Sequence, residues 1–156
     1  MIMDDLKSVL VLVTPTRDCK DVVQDAIQLA GRFHASLYVL DVVHNPFAYT
    51  GWNLPMPSFD QEYQRFLEQV RDRLQAKIAE ERQRGFPVES IVRQGEPVAQ
   101  ILEVIEEKHI DLLILPSHAE DRIEHYFSGR VAERVIRKMP CSVLLVRQED
   151  TTLCST

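Results

Sequence analysis

The sequence predicts an α/β fold: one domain on a five-stranded parallel sheet, doubly wound, with helices on both faces. Three observations predict it. Short apolar runs alternate with longer segments of helical periodicity in the order β-α-β-α-β-α-β-α-β, and such alternation implies a parallel sheet crossed by helices. The run "SVLVLV" is continuous and β-branched, as suits a strand covered on both faces. The length of 156 residues suits one domain with a substantial core, and no linker, internal repeat or low-complexity tract divides it.

The elements follow in order. Ser8 to Val13 is the first strand. The segment Asp18 to Phe33 spaces Val22, Val23, Ala26, Ile27, Ala30 and Phe33 at helical intervals, with Asp18 as its N-cap. Ser36 to Val43, "SLYVLDVV", is the second strand. His44 to Phe59 is a loop holding Pro46, Pro55 and Pro57 together with Phe47, Tyr49, Trp52, Met56 and Phe59. Its aromatic content suits a segment that folds over the carboxyl edge of the sheet, as core, lid or partner surface. Tyr63, Phe66, Leu67, Val70, Leu74 and Ile78 mark a long amphipathic helix, stopped at Gly85 and Pro87. Val88 to Gly95 is the third strand. Pro97 suits the first turn of a helix carrying Val98, Ile101, Leu102 and Ile105. "DLLIL", ending at Leu115, is the fourth strand. A helix through Val131, Ala132 and Val135 ends before Pro140, and "CSVLLV" is the fifth strand. The domain spans residues 1–148, and a polar tail covers 149–156.

Composition narrows the function. The formal net charge of -6 argues against broad binding to nucleic acid or to an anionic membrane. The apolar runs are too short to span a bilayer, and "MIMDDLK" lacks the pattern of a secretory signal. Cys19, Cys141 and Cys154 are an odd number without metal-binding spacing, which suits reduced thiols in a cytoplasmic protein.

In a doubly wound sheet the ligand sits outside the carboxyl ends of the strands, where the strand order reverses. The candidate segments are "TPTRD", "HNPFAY" and "PSHAED". Ser117 beside His118 is the one hydrolase-like pair, but adjacent residues rarely face each other and no G-x-S-x-G elbow accompanies them. His118, Glu120, Asp121, Glu124 and His125 match no metal-ligand spacing. These readings favour a polar loop on the sheet rim, no catalytic residue and no metal. Arg130, Arg134 and Arg137 share one helical face, which suits either a solvated face paired with acidic neighbours or a groove for an anion.

Four stretches together resemble the universal stress protein family: "VLVLVTPT", "AIQLAGRFHASLYVLDVV", "VRQGEPVAQILEVIEEKHIDLLILPSH" and "SGRVAERVIRKMPCSVLLV". The resemblance runs from Lys7 to Arg147. It implies a Rossmann-like fold of the adenine nucleotide alpha hydrolase type and a cytoplasmic stress-response or regulatory binding module that catalyses nothing. It also implies a homodimer through the fifth strand, Ser142 to Val146, and leaves room for a separate protein partner.

Nucleotide-binding members of that family carry Gly-x2-Gly-x9-Gly-Ser/Thr after strand four and an aspartate at the end of strand one. Here the spacing is intact, but Pro116 and Ala119 replace the first two glycines, Gly129 remains, Arg130 replaces the hydroxyl residue, and Thr14 replaces the aspartate. Proline removes a backbone donor. Alanine adds a Cβ where phosphate would approach the main chain. Arginine crowds the pose, although its guanidinium can itself hold phosphate, and threonine lacks the carboxylate. The resemblance therefore implies no cofactor. The alternative it leaves is ATP or AMP with Mg, held by Arg130 and a helix N-terminus, with Val42, Leu115 and Val131 around the base.

Overall fold

The computed structural model describes residues 5–13, 22–43, 57–117, 129–138 and 140–147. Five strands, β1 (Ser8–Leu12), β2 (Ser36–Val43), β3 (Val88–Gln94), β4 (Leu112–Ser117) and β5 (Ser142–Arg147), form a parallel sheet in the order β3-β2-β1-β4-β5. Four helices, α1 (Val22–Phe33), α2 (Pro57–Gln83), α3 (Pro97–Glu107) and α4 (Gly129–Lys138), alternate with them. The predicted α/β class, element order and covered sheet are all present.

The pleat sorts the core into two layers. Val9, Val11, Leu37 and Val39 join buried residues of α1 with Leu74 and Ile78 of α2. Leu10, Leu12, Leu40 and Leu113 point the other way, into a cluster with Val98, Ile101, Val104 and Ile105 of α3 and Val135 of α4. Every residue of β1 is buried, because this central strand has neighbours on both sides and helices above and below.

Three helices end on a residue with positive φ: His34 after α1 (54°), Gly85 after α2 (82°) and His109 after α3 (51°). Each is followed by a backbone bond that closes the helix end, Ala35 N–H to Ala30 at 2.9 Å, Phe86 N–H to Glu81 at 3.0 Å and Ile110 N–H to Ile105 at 3.0 Å. Gly85 is thus the stop expected of it. His34 and His109 do the same work at helix ends without glycine's freedom.

Three local expectations need correction. α2 begins at Pro57, so residues 57–59 are helical and not loop; proline suits a first helical turn, where its missing N–H has no partner to lose. Phe66 is exposed although the stripe was expected to bury it. It lies about 80° round the helix from the centre of the row Tyr63, Leu67, Val70, Leu74 and Ile78. β4 runs past Leu115 to Ser117, with Pro116 in register with Val146. The pairing of β1 with β4 ends at Ile114, so β4 has one free side from there and a residue without N–H fits. Asp18, Phe47, Tyr49, Trp52 and Met56 lie outside the described residues.

Candidate functional site

The strand order reverses between β1 and β4. Connections after β1 and β2 build outward to β3, whereas the one after β4 builds outward to β5. The switch point at which ligands sit in doubly wound sheets is therefore the carboxyl ends of β1 and β4, flanked by β2. Val13 marks the end of β1, its N–H bonded to the Leu40 carbonyl at 2.9 Å. Gly95 closes β3 with φ 134° and donates to the Val43 carbonyl at 3.1 Å, a conformation that a side chain would strain.

Of the sequence-predicted site residues, three come together. Val42 and Leu115 share the α3–α4 cluster, and Val131 packs against it. Val42 is 5% and Leu115 2% exposed, so both belong to the buried core beneath the carboxyl ends of the strands. Pro116, half-buried, continues β4 above them, and Gly129 opens α4. Thr14, Ala119 and the Arg130 side chain lie outside the described residues, as do His118, Glu120, Asp121, Glu124, His125 and the Ser117 side chain. Among the described residues no group of three His, Cys, Asp or Glu could hold a metal. Cys141 is a free thiol whose pKa burial pushes up, partly offset by a hydrogen bond with the Leu113 backbone.

The basic face of α4 resolves into ion pairs. Arg134 lies 2.9 Å from Glu96 and Arg137 2.7 Å from Glu133. Glu96 also caps α3, its other carboxylate oxygen accepting the Ala99 N–H at 2.8 Å. One carboxylate thus joins the turn after β3 to α4. These two arginines take the solvated, paired alternative and not the anion groove.

Sequence reasoning missed Asp41. It sits in β2, 6% exposed, with its Oδ1 unpartnered. Burial pushes its pKa up to about 6, against the pull of Arg73 and Lys77. The signal was legible: an acid inside "SLYVLDVV", at the alternation position of Leu37, Val39 and Val43, must point into a helix-covered face.

The strand order and its reversal between β1 and β4 define the class of doubly wound α/β domains. Residues 6–147 match the sequence profile of the universal stress protein family. Universal stress protein MJ0531 of Methanocaldococcus jannaschii is 33% identical over 146 residues, covering 88% of this chain and 81% of its own. Among solved structures, universal stress protein UspA from Lactobacillus plantarum superposes with a TM-score of 0.67 at 19% identity, covering 91% of this chain and 98% of that one. The universal stress protein from Archaeoglobus fulgidus in complex with dAMP gives a TM-score of 0.58 at 15% identity over 92% of this chain and 98% of that one. The chain belongs to the universal stress protein family.

Proposed function

We propose that this universal stress protein is a cytoplasmic regulatory binding module that catalyses nothing and does not hold ATP tightly. The observation that carries the reading is Pro116. It stands where nucleotide-binding relatives have the first glycine of the phosphate loop, it has no N–H to offer, and it is paired as a strand residue with Val146. Thr14, Ala119 and Arg130 each remove a further part of that chemistry. The test is a melting shift. A ligand at about 100 times its Kd stabilises a fold by about 2.7 kcal/mol. Wild-type protein in millimolar Mg-ATP should show almost no shift, and the combined change Thr14→Asp, Pro116→Gly, Ala119→Gly and Arg130→Ser should create one. A clear wild-type shift would overturn the reading.

The second reading is a nucleotide regulator in which Arg130 replaces the lost phosphate contacts. It draws support from the dAMP-bound relative and from Val42, Leu115 and Val131, which come together in one apolar cluster. Arg130→Ser separates the two: it weakens ATP or AMP binding if Arg130 holds phosphate, and improves it if Arg130 blocks the cavity.

We infer that the working unit is a homodimer built on β5. The two sheet edges differ. Along β3, Glu89 pairs with Lys108 at 3.3 Å and Arg93 pairs with Glu107, so that edge carries charge. Along β5, Leu144 and Leu145 are 40% and 49% exposed, one on each face of the strand. Antiparallel pairing with a two-fold mate would cover both in a closed arrangement.

A further inference from the structure

Among the described residues two buried side chains are polar, Ser8 and Asp41. The Ser8 hydroxyl is bonded. Asp41 Oδ1 is not, and it is the buried side-chain oxygen left without a partner. An isolated buried carboxylate is costly, whereas a neutral carboxyl costs far less.

The surroundings of Asp41 can be read from the sheet register. It lies on the face of β2 that carries Leu37, Val39 and Val43, under α2. On β3 its register partner is Val92, with Ser90 and Gln94 two positions to either side. On the β1 side the pairing of Leu12 with Leu40 brings up Val13 next. From α1 the residues buried on this face are Val22, Val23, Ala26, Ile27 and Ala30, all apolar. α2 supplies the titratable groups: Arg73 and Lys77, which act on Asp41 as charges, and Tyr63, whose hydroxyl lies 3.3 Å from Gln94 Oε1. No ion pair joins Asp41 to Arg73 or Lys77 among the described residues. The attraction is therefore at a distance, and it does not replace the lost hydration.

We propose that Asp41 makes the seating of α2 on the sheet proton-dependent, so that the helix is held most firmly when this carboxyl is neutral and loosens when it ionises. The protein then carries a sensor of mild acidification inside its core. The strand that holds it also carries Val42 into the cluster under α3 and α4, near the switch point. The direction follows from linkage. Burial raises the folded-state value from 3.8 to about 6. The associated stabilisation is complete below 3.8 and is lost as pH rises through about 6. If opening of α2 returns Asp41 to its ordinary value, the opening constant rises about tenfold between pH 5 and pH 8.

Two measurements on the intact chain test this. The first follows the side-chain carboxyl carbon of Asp41 by NMR, in protein labelled at aspartate, across pH 3 to 8. A midpoint near 6 is expected, and a midpoint in the ordinary carboxylate range would overturn the proposal. The second is hydrogen exchange of the α2 amides from Leu67 to Ile78 in wild type and Asp41→Asn, corrected for intrinsic exchange. Wild type should open about tenfold more readily at pH 8 than at pH 5, and the variant, which cannot ionise here, should lose that dependence. A dependence that persists in Asp41→Asn, or that is equal in α3 and α4, would sink it. Should the variant fail to fold, the titration of the unaltered protein decides alone.

Discussion

Asp111 Oδ2 accepts the Ser8 N–H at 3.0 Å, and the Asp111 N–H returns to the Ser8 carbonyl at 3.0 Å, joining residues 103 positions apart. The same Oδ2 takes the Lys7 N–H at 2.9 Å, while the Ser8 hydroxyl donates to the His109 carbonyl at 2.6 Å. This clasp fixes β1 against β4 at their amino ends, opposite the switch point, and so sets the register of the two strands that flank it. Asp111→Ala should cost about 2 kcal/mol, because it strips charged-acceptor bonds from two backbone donors. The pH dependence is opposite in sign to that of Asp41. Burial by itself would raise the Asp111 value, but the Lys7 and Ser8 donors and the Lys7 charge hold it below 3.8. Its contribution is present above 3.8 and fades as pH falls through the lower folded value. Urea unfolding of wild type and variant should show a gap at pH 7 that narrows in strong acid.

His34 and His109 are both exposed and both held at positive φ. Each therefore bears the strain of the left-handed region with little side-chain packing in return. His34→Gly and His109→Gly should each raise stability by about 1 kcal/mol, less the extra entropy of glycine in the unfolded chain. Thermal melting would check this, and a fall in Tm in both variants would show that the imidazoles contribute more than the strain removes.

Glu96 holds two partners with two oxygens, so its roles can be separated. Glu96→Ala should cost about 1 kcal/mol through the lost cap on α3. Arg134→Ala, which removes only a solvent-exposed ion pair, should cost about 0.5 kcal/mol or less and be salt-sensitive. Chemical denaturation at low and high salt measures both.

Leu145 is exposed on the edge strand next to Leu144. Leu145→Lys should convert a dimer into a monomer at micromolar concentration, because an edge lysine must be desolvated to pair. Analytical ultracentrifugation reads this directly, and a monomeric wild-type protein would remove the proposed interface.

Much of this molecule was legible in one dimension. Apolar runs with no alternation announced strands covered on both faces, and the 3.6-residue period of Val98, Ile101 and Ile105 announced α3, because these periods follow from backbone geometry that no neighbour alters. Gly85 and Pro97 announced a helix end and a helix start for the same reason, their φ preferences being properties of the residue alone. The intact spacing from Pro116 to Gly129 was likewise readable as chain length between two elements. Partnership was not readable. That Pro116 extends β4 depends on β5 lying beside it and β1 having ended. That Arg134 neutralises a helix cap depends on α3 and α4 meeting on one face. Asp41 is the sharpest case. Its alternation position pointed it inward, but only the seating of α2 decided that its carboxyl would be buried with one oxygen unpartnered. Periodicity is a local property of a chain, whereas the electrostatic environment of a side chain is a sum over neighbours that only folding brings within range.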